Sequence, residues 1–210
     1  MTRPDIIRLK KEIGPKAAID LRTPREDEKT REVSLLNEMG AKYYNIPFRP
    51  DSALYLKEET ELYRNLSNMG EVYLYRIRHE AFGKRITEAL EIIAEQENHP
   101  AVFHCSIGKD RTGVLAAIVL AAVGVVDEDI IEDYTLTAPF MKEIRNRVNN
   151  DPKTPDDIKN LPDFTWEATP ESMSLFLSLL RQEYGFAKGY LEAHGADSSL
   201  ITRLEKALLA

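Results

Sequence analysis

The 210-residue sequence contains a single cysteine, Cys105. That excludes an internal disulfide, a redox relay with a resolving cysteine and a zinc cluster built from thiolates. Long hydrophobic runs are also missing. The longest, Gly113 to Val126, ends after 14 residues, too short to cross a bilayer and better suited to a buried helix leaving a strand. The four histidines (79, 99, 104, 194) show no HExxH or similar spacing, so no metal site is expected. Positive charge is not in excess either: 28 Lys and Arg against 35 Asp and Glu leave a net charge of -7. Such a chain is repelled by phosphate backbones, so nucleic acid is not an expected partner and any affinity for phosphate has to be local. The opening residues MTRPDIIRLKKEIG lack the apolar core and cleavage site of a secretory signal, which makes the cytoplasm the expected location. Oligomeric state is left open.

What is present is enough apolar material, 43% of residues, for one sizeable core or a core with an appendage. Pro4 and Gly14 frame a short helix with Ile6, Ile7, Leu9 and Ile13 turned inward. Lys16 to Leu21 reads as a buried strand, a helix from about Glu28 to Met39 stops at Gly40, and Lys42 to Ile46 gives a second strand closed by Pro47. Residues 54 to 96 are helical in pattern, broken at Gly70 and Gly83, with Ile86, Leu90 and Ile93 on one face. Ala101 to His104 is a third strand, 105–111 a loop and 112–123 the apolar helix. The alternation predicts an α/β fold, a central and mostly parallel sheet flanked by helices, with ligands at the carboxyl ends of the strands. Four of the eleven prolines (152, 155, 162, 170) fall in 151–170, read as a proline-rich linker or surface loop between a core of residues 1–150 and an all-helical C-terminal extension, 171–210, packing on it. There Thr169 and Pro170 start a helix whose Met173, Phe176, Leu177, Leu180 and Tyr184 share a face up to Gly185, followed by short helices near 186–194 and 198–209.

The chemistry lies in His104-Cys-Ser-Ile-Gly-Lys-Asp-Arg-Thr-Gly113, a loop between an apolar strand and an apolar helix. A loop curled at a helix N-terminus turns its backbone N–H groups, here from Ser106 through Ile107, Gly108, Lys109 and Asp110 to Arg111, towards one phosphate-sized point. Gly108 permits the curl. The same field stabilises a thiolate, so Cys105 is expected to be a nucleophile at neutral pH, with Arg111 gripping two phosphate oxygens and Thr112 donating its hydroxyl to the sulfur. That set fits attack by sulfur on a phosphate monoester, a phosphocysteine intermediate and hydrolysis by water, with no cofactor. The leaving oxygen needs a proton. Asp110 inside the loop is the first candidate for the acid, and Asp51 in Pro47-Phe-Arg-Pro-Asp-Ser52 is the second. His104 reads as a residue that holds the loop, and Asp20 with Arg22 as an ion-pair network beneath it. The run Arg76, Arg78, His79, Lys84, Arg85 either steers phosphorylated substrates or forms a solvated helix face.

The segment from His104 to Gly113 resembles, at every fixed position, the HCxxGKDRTG signature of the cysteine-dependent protein tyrosine phosphatase superfamily, in its branch of atypical tyrosine and dual-specificity phosphatases of bacteria and fungi. Ile19-Asp20-Leu21-Arg22 with Glu26, Asp133-Tyr134, and the tail with Tyr184-Gly185 and Tyr190-Leu191 extend the resemblance over most of the chain. It implies a metal-independent phosphatase of phosphotyrosine, with phosphoserine, phosphothreonine and phosphoinositides as further substrates. It also implies Cys105 as nucleophile, Arg111 as phosphate clamp, Asp110 as general acid and Lys109 as a second cation tied to breadth of substrate. Members usually carry a further segment before the first helix, which this chain is expected to lack. Two other classes stay in view: a non-catalytic module that holds a phosphorylated ligand on an intact loop, and a sulfur- or arsenate-handling enzyme, against which the lack of further cysteines counts.

Overall fold

The computed structural model describes residues 3–27, 40–49, 53–152 and 154–209. The helix expected over 28–39 and the candidate acid Asp51 lie outside them. Among the described residues three parallel strands of four residues form the sheet: β1 (Ala17–Asp20) in the middle, β2 (Lys42–Asn45) on one side and β3 (Ala101–His104) on the other. The short AAID run of β1 is buried at all four positions, as a central strand covered on both faces must be. Ala18 faces helix α1 (Arg3–Glu12) through Ile6, whereas Ile19 joins the main core. The α1 stripe is narrower than the periodicity suggests: Ile6 is buried, but Ile7 and Ile13 stand in solvent, because only one turn of the helix meets the sheet.

A four-residue turn of helix, α2 (Pro24–Asp27), follows β1, and α3 (Ala53–Asn65), α4 (Met69–Arg78) and α5 (Glu80–Ala94) lead from β2 to β3. Neither glycine in this stretch is a breaker. The break before α4 falls at 66–68, where Asn68 caps the helix by accepting from the Gly70 N–H, and the next falls at His79. Gly70 and Gly83 serve packing. A Cβ on Gly70 would lie 2.5 Å from the Ser172 carbonyl oxygen, and one on Gly83 2.0 Å from the His194 ring.

After β3 come α6 (Asp110–Ala122), α7 (Asp127–Thr135), α8 (Met141–Asn150) and the short α9 (Asp156–Lys159). The tail is α10 (Pro170–Tyr184), α11 (Ala187–Ala193) and α12 (Leu200–Leu208), with Thr169 capping α10 and Gly185 ending it in the left-handed region at φ 70°. Met173, Phe176, Leu177, Tyr190, Leu200 and Leu204 of these helices are buried in the same apolar cluster as Ile19, Leu90 and Leu115. The 151–170 stretch, read as a linker or surface loop, has structure of its own. It folds into α9 and a 3-10 turn, Asp163–Trp166, and buries Thr165, Trp166 and Ala168. Among the described residues no helix is long and apolar enough to cross a membrane.

The register aligns Asp20, Asn45 and His104 at the carboxyl ends of the strands. The three segments leaving those ends, 21–26, 46–49 and 105–111, therefore converge on one side of the sheet, where open parallel sheets place their ligands.

Candidate active site

The loop expected from the sequence follows β3 and ends in the first turn of α6. Gly108 has φ +86°, a conformation that costs any side-chain-bearing residue, and its N–H donates to Cys105 Sγ at 3.3 Å. Cys105, Ser106, Ile107, Asp110 and Arg111 line one cleft of about 210 Å³. Glu26, Arg49, Glu59, Tyr63, Arg76 and Phe82 line the same cleft, as do Ile158 and Leu161 of the proline-rich stretch.

Arg111 is held from behind. Its Nη1 and Nη2 donate to the two carboxylate oxygens of Glu26 at 3.0 and 2.9 Å, and Nη1 also reaches the Leu21 carbonyl at 3.2 Å. Nη2 extends to Ser106 Oγ at 3.3 Å, and that hydroxyl donates to Glu26 at 3.1 Å. Glu26 accepts as well from the Thr23 N–H and pairs with Arg49 at 3.2 Å; Arg49 in turn pairs with Glu59 at 3.4 Å, and Glu59 with Arg76 at 2.7 Å. Arg76 also donates to the Tyr63 hydroxyl. A chain of alternating charges, Arg111, Glu26, Arg49, Glu59, Arg76, thus lines the cleft. Burial alone would raise the Glu26 carboxyl, but the Arg111 bonds outweigh it and hold this group far below the ordinary carboxylate range.

On the other side of the loop the surroundings are dry. Lys109 is 1% exposed; its Nζ donates to the carbonyls of Thr165 at 2.5 Å and Glu167 at 3.1 Å and lies 3.3 Å from Asp110 Oδ1. It is therefore turned away from the cleft, against the expectation of a second cation facing substrate, because the 163–167 turn offers two carbonyls that only a buried donor can satisfy. Asp110 Oδ1 also accepts from the Tyr73 hydroxyl at 2.8 Å. Burial would raise the Asp110 carboxyl, yet the charges of Lys109 and Arg76 and the Tyr73 bond keep it below its ordinary value.

The underlying network matches the ion-pair reading of Asp20 and Arg22. Asp20 accepts from Arg22 Nε and Nη2 and from the Tyr43 hydroxyl, and its Oδ2 lies 3.9 Å from His104 Nε2. Arg22 holds the end of β1 from which Glu26 hangs. The Thr112 hydroxyl is buried and has no hydrogen-bond partner among the described residues, so the bond expected from it to the sulfur is not formed; the Gly108 N–H donates there. Of the basic run in 76–85, Arg76 enters the cleft, whereas Arg78, Lys84 and Arg85 pair with Glu183, Glu80 and Glu88 on the surface. Arg49, Glu59 and Tyr63 escape a sequence reading because no local pattern marks them. Glu26 has a signal in its offset from the Asp20-Leu21-Arg22 strand end, and Tyr134 in the Asp-Tyr pair of α7.

Comparison with known proteins shows the family of the chain. Residues 1–210 match the model of a tyrosine phosphatase family. The chain is 25% identical over 207 residues to a tyrosine-protein phosphatase of Nostoc commune, covering 92% of this chain and 66% of that protein. It is 30% identical over 121 residues to the triple specificity protein phosphatase PtpB of Mycobacterium tuberculosis, covering 52% of this chain and 44% of that one. The chain thus spans less than two thirds of the length of either relative. With the family match running over every residue that carries the loop, its supporting carboxylate and the helical tail, the chain belongs to the tyrosine phosphatase family.

Proposed function

We propose that this chain hydrolyses phosphate monoesters, phosphotyrosine above all, through a phosphocysteine intermediate and without a metal. The observation that carries the reading is the placement of the Cys105 sulfur and the Arg111 guanidinium on the wall of one cleft, at the mouth of a loop whose Gly108 N–H already points at the sulfur. Glu26 and Leu21 take one edge of Arg111; Nε and the Nη2 proton directed at Ser106 form the edge left for two phosphate oxygens. Sulfur attacks phosphorus, the ester P–O bond breaks, and the guanidinium and loop N–H groups stabilise charge on the remaining oxygens. Asp110 gives a proton to the departing oxygen, and as carboxylate it then takes one from the water that cleaves the S–P bond. Its own surroundings hold Asp110 ionised; a phosphate dianion bound beside it favours the protonated form.

Breadth towards phosphoserine, phosphothreonine and phosphoinositides belongs to the same proposal. A relative named for triple specificity supports breadth, and Arg49 and Arg76, rather than Lys109, are the further cations a second phosphate meets in the cleft. The cytoplasm suits a lone catalytic thiol because it keeps thiols reduced.

The test is Cys105→Ser assayed on 4-nitrophenyl phosphate. Turnover should fall by at least about a thousandfold, since a hydroxyl is not ionised at neutral pH, while vanadate binding persists on Arg111 and the loop amides. Rapid quenching of the parent enzyme with radiolabelled substrate should leave label on the protein. Turnover by the Cys105→Ser variant within tenfold of the parent would remove Cys105 from the role of nucleophile.

A further inference from the structure

Asp110 is one end of a line of three side chains whose other two members, Tyr73 and Tyr134, have no part in the reaction just described. Tyr73, from α4, is fully buried, and its hydroxyl lies 2.8 Å from Asp110 Oδ1 and 2.7 Å from the Tyr134 hydroxyl of α7. A phenol has one proton to give. As a carboxylate Asp110 only accepts, so the Tyr73 proton must point to Asp110, and the Tyr134 proton must then point to Tyr73. The line runs one way, from Tyr134 through Tyr73 to Asp110. Burial and the Asp110 charge beside it hold the Tyr73 phenol far above its ordinary range, so it stays a donor.

The rings that make up this line are fixed. Tyr73 meets Tyr134 and Phe176 edge to face, with centroids 6.1 and 5.9 Å apart. Tyr134 itself is seated by the last residue of the loop motif: a Cβ on Gly113 would lie 3.0 Å from its ring. Lys109 Nζ approaches the same carboxylate oxygen that Tyr73 does, at 3.3 Å, so the described contacts of Asp110 converge on Oδ1.

We infer that Tyr73, backed by Tyr134, is a positioning residue for the general acid: it claims Oδ1 as an acceptor and so leaves Oδ2 as the oxygen that carries the proton to the leaving group. A carboxylic acid free to rotate presents its proton in several directions. One pinned at Oδ1 by two donors on its buried side presents it towards the cleft. The step itself moves one proton, from Asp110 Oδ2 to the ester oxygen, and both phenols keep theirs. This inference rests on Asp110 being the acid.

The pH behaviour follows from the groups that surround Asp110: Lys109, Arg111 and Cys105 of its own loop, Tyr73 and Arg76 of α4, and Tyr134 of α7. Among them the Tyr73 bond favours the ionised carboxyl. Its removal raises the acid's titration, and the basic limb of the rate profile moves to higher pH even as the rate falls.

The experiment compares Tyr73→Phe, Tyr134→Phe and Asp110→Asn on phenyl phosphate and on 4-nitrophenyl phosphate across pH, with vanadate binding as the check that the cleft is intact. Tyr73→Phe should lose about tenfold on phenyl phosphate, the worth of a hydrogen bond to a charged group, and much less on the nitrophenyl ester, whose leaving group barely needs a proton. Tyr134→Phe should act in the same direction and more weakly. Adding Tyr73→Phe to Asp110→Asn should leave the dependence on leaving group as Asp110→Asn alone sets it. Equal losses on both esters with an unmoved pH profile, alongside a leaving-group-dependent Asp110→Asn, would overturn the inference and reduce the tyrosines to packing. If Asp110→Asn itself shows no dependence on leaving group, the acid is another residue, and both that reading and this one fall.

Discussion

Lys109 and Arg111 stand two positions apart in one loop and carry the same charge, yet they end in opposite surroundings. Arg111 looks into the cleft, with its side chain 13% exposed and two of its nitrogens on the Glu26 carboxylate. Lys109 looks into the protein, where its ammonium is shared between two backbone carbonyls and Asp110. The loop therefore has a polar front, where charges alternate along Arg111, Glu26, Arg49, Glu59 and Arg76, and a dry back, where Lys109 and the Tyr73–Tyr134 pair meet Asp110. Front residues can change partners when an anion arrives. Back residues are held by groups that have no water to replace them, so their work is to keep the loop and the Asp110 carboxylate in place. Asp110 sits at the junction of the two.

The most severe challenge to this division between front and back is Arg111→Lys. A planar fork can hold Glu26 with one edge and phosphate with the other, whereas an ammonium cannot do both. We expect kcat/KM on aryl phosphates to fall by at least about a hundredfold, with vanadate binding weakened in step. A loss below tenfold would mean that the front needs only positive charge, and the two-edged role of Arg111 would fail.

The matching change at the back, Lys109→Met, keeps the aliphatic stem and removes the donor. It strands the Thr165 and Glu167 carbonyls and leaves Asp110 without its nearest cation, at a cost of about 2–4 kcal/mol, or a fall in Tm of roughly 5–10 °C. Thermal unfolding reads this directly. Activity should drop by a similar factor on phosphotyrosine peptides and on phosphoinositides, since the group removed faces neither. A selective loss on phosphoinositides with stability unchanged would return Lys109 to the substrate side and erase the division.

That division is invisible in the sequence, although the loop itself is not. His104 to Gly113 names its chemistry through residue types at fixed offsets, and the apolar 113–126 run gives the helix behind it, because both are local patterns. Whether Lys109 points in or out depends on the 163–167 turn, 56 residues away at Thr165, and no periodicity reports on that contact. The proline count of 151–170 is a fair sign of irregular backbone but says nothing of Thr165 and Trp166 being buried. Gly83 reads as a helix breaker until His194 occupies the space it leaves. Tyr73 lies in an apolar helical stretch where a tyrosine is ordinary core; only the fold brings its hydroxyl to Asp110. Likewise the inward stripe assigned to α1 overcounts, since Ile7 on the helix and Ile13 just past its end meet no surface that covers them.

The smallest expected effect tests what holds the front together. Glu26→Gln keeps the side-chain length and one acceptor but removes the charge that Arg111 and Arg49 share. At neutral pH the cost should be about 1–2 kcal/mol, since the pair is partly exposed and screened. Its pH dependence carries the sign. The folded-state carboxyl titrates far below its ordinary value of 4.5, so the unfolded chain binds a proton first as pH falls. The stability from this pair is therefore complete above about pH 5 and drains away as the pH drops below the ordinary value. The parent and the variant should differ in Tm at pH 7 and draw together as the pH falls below about 4, with the variant flatter between. The kinetic effect should be modest as well, near tenfold on kcat/KM, because the Leu21 carbonyl still anchors Nη1. A difference in Tm that stays constant across this range would mean that Glu26 holds Arg111 by shape and hydrogen bonds rather than by charge, and the alternating chain of charges would lose its part in ordering the front of the loop.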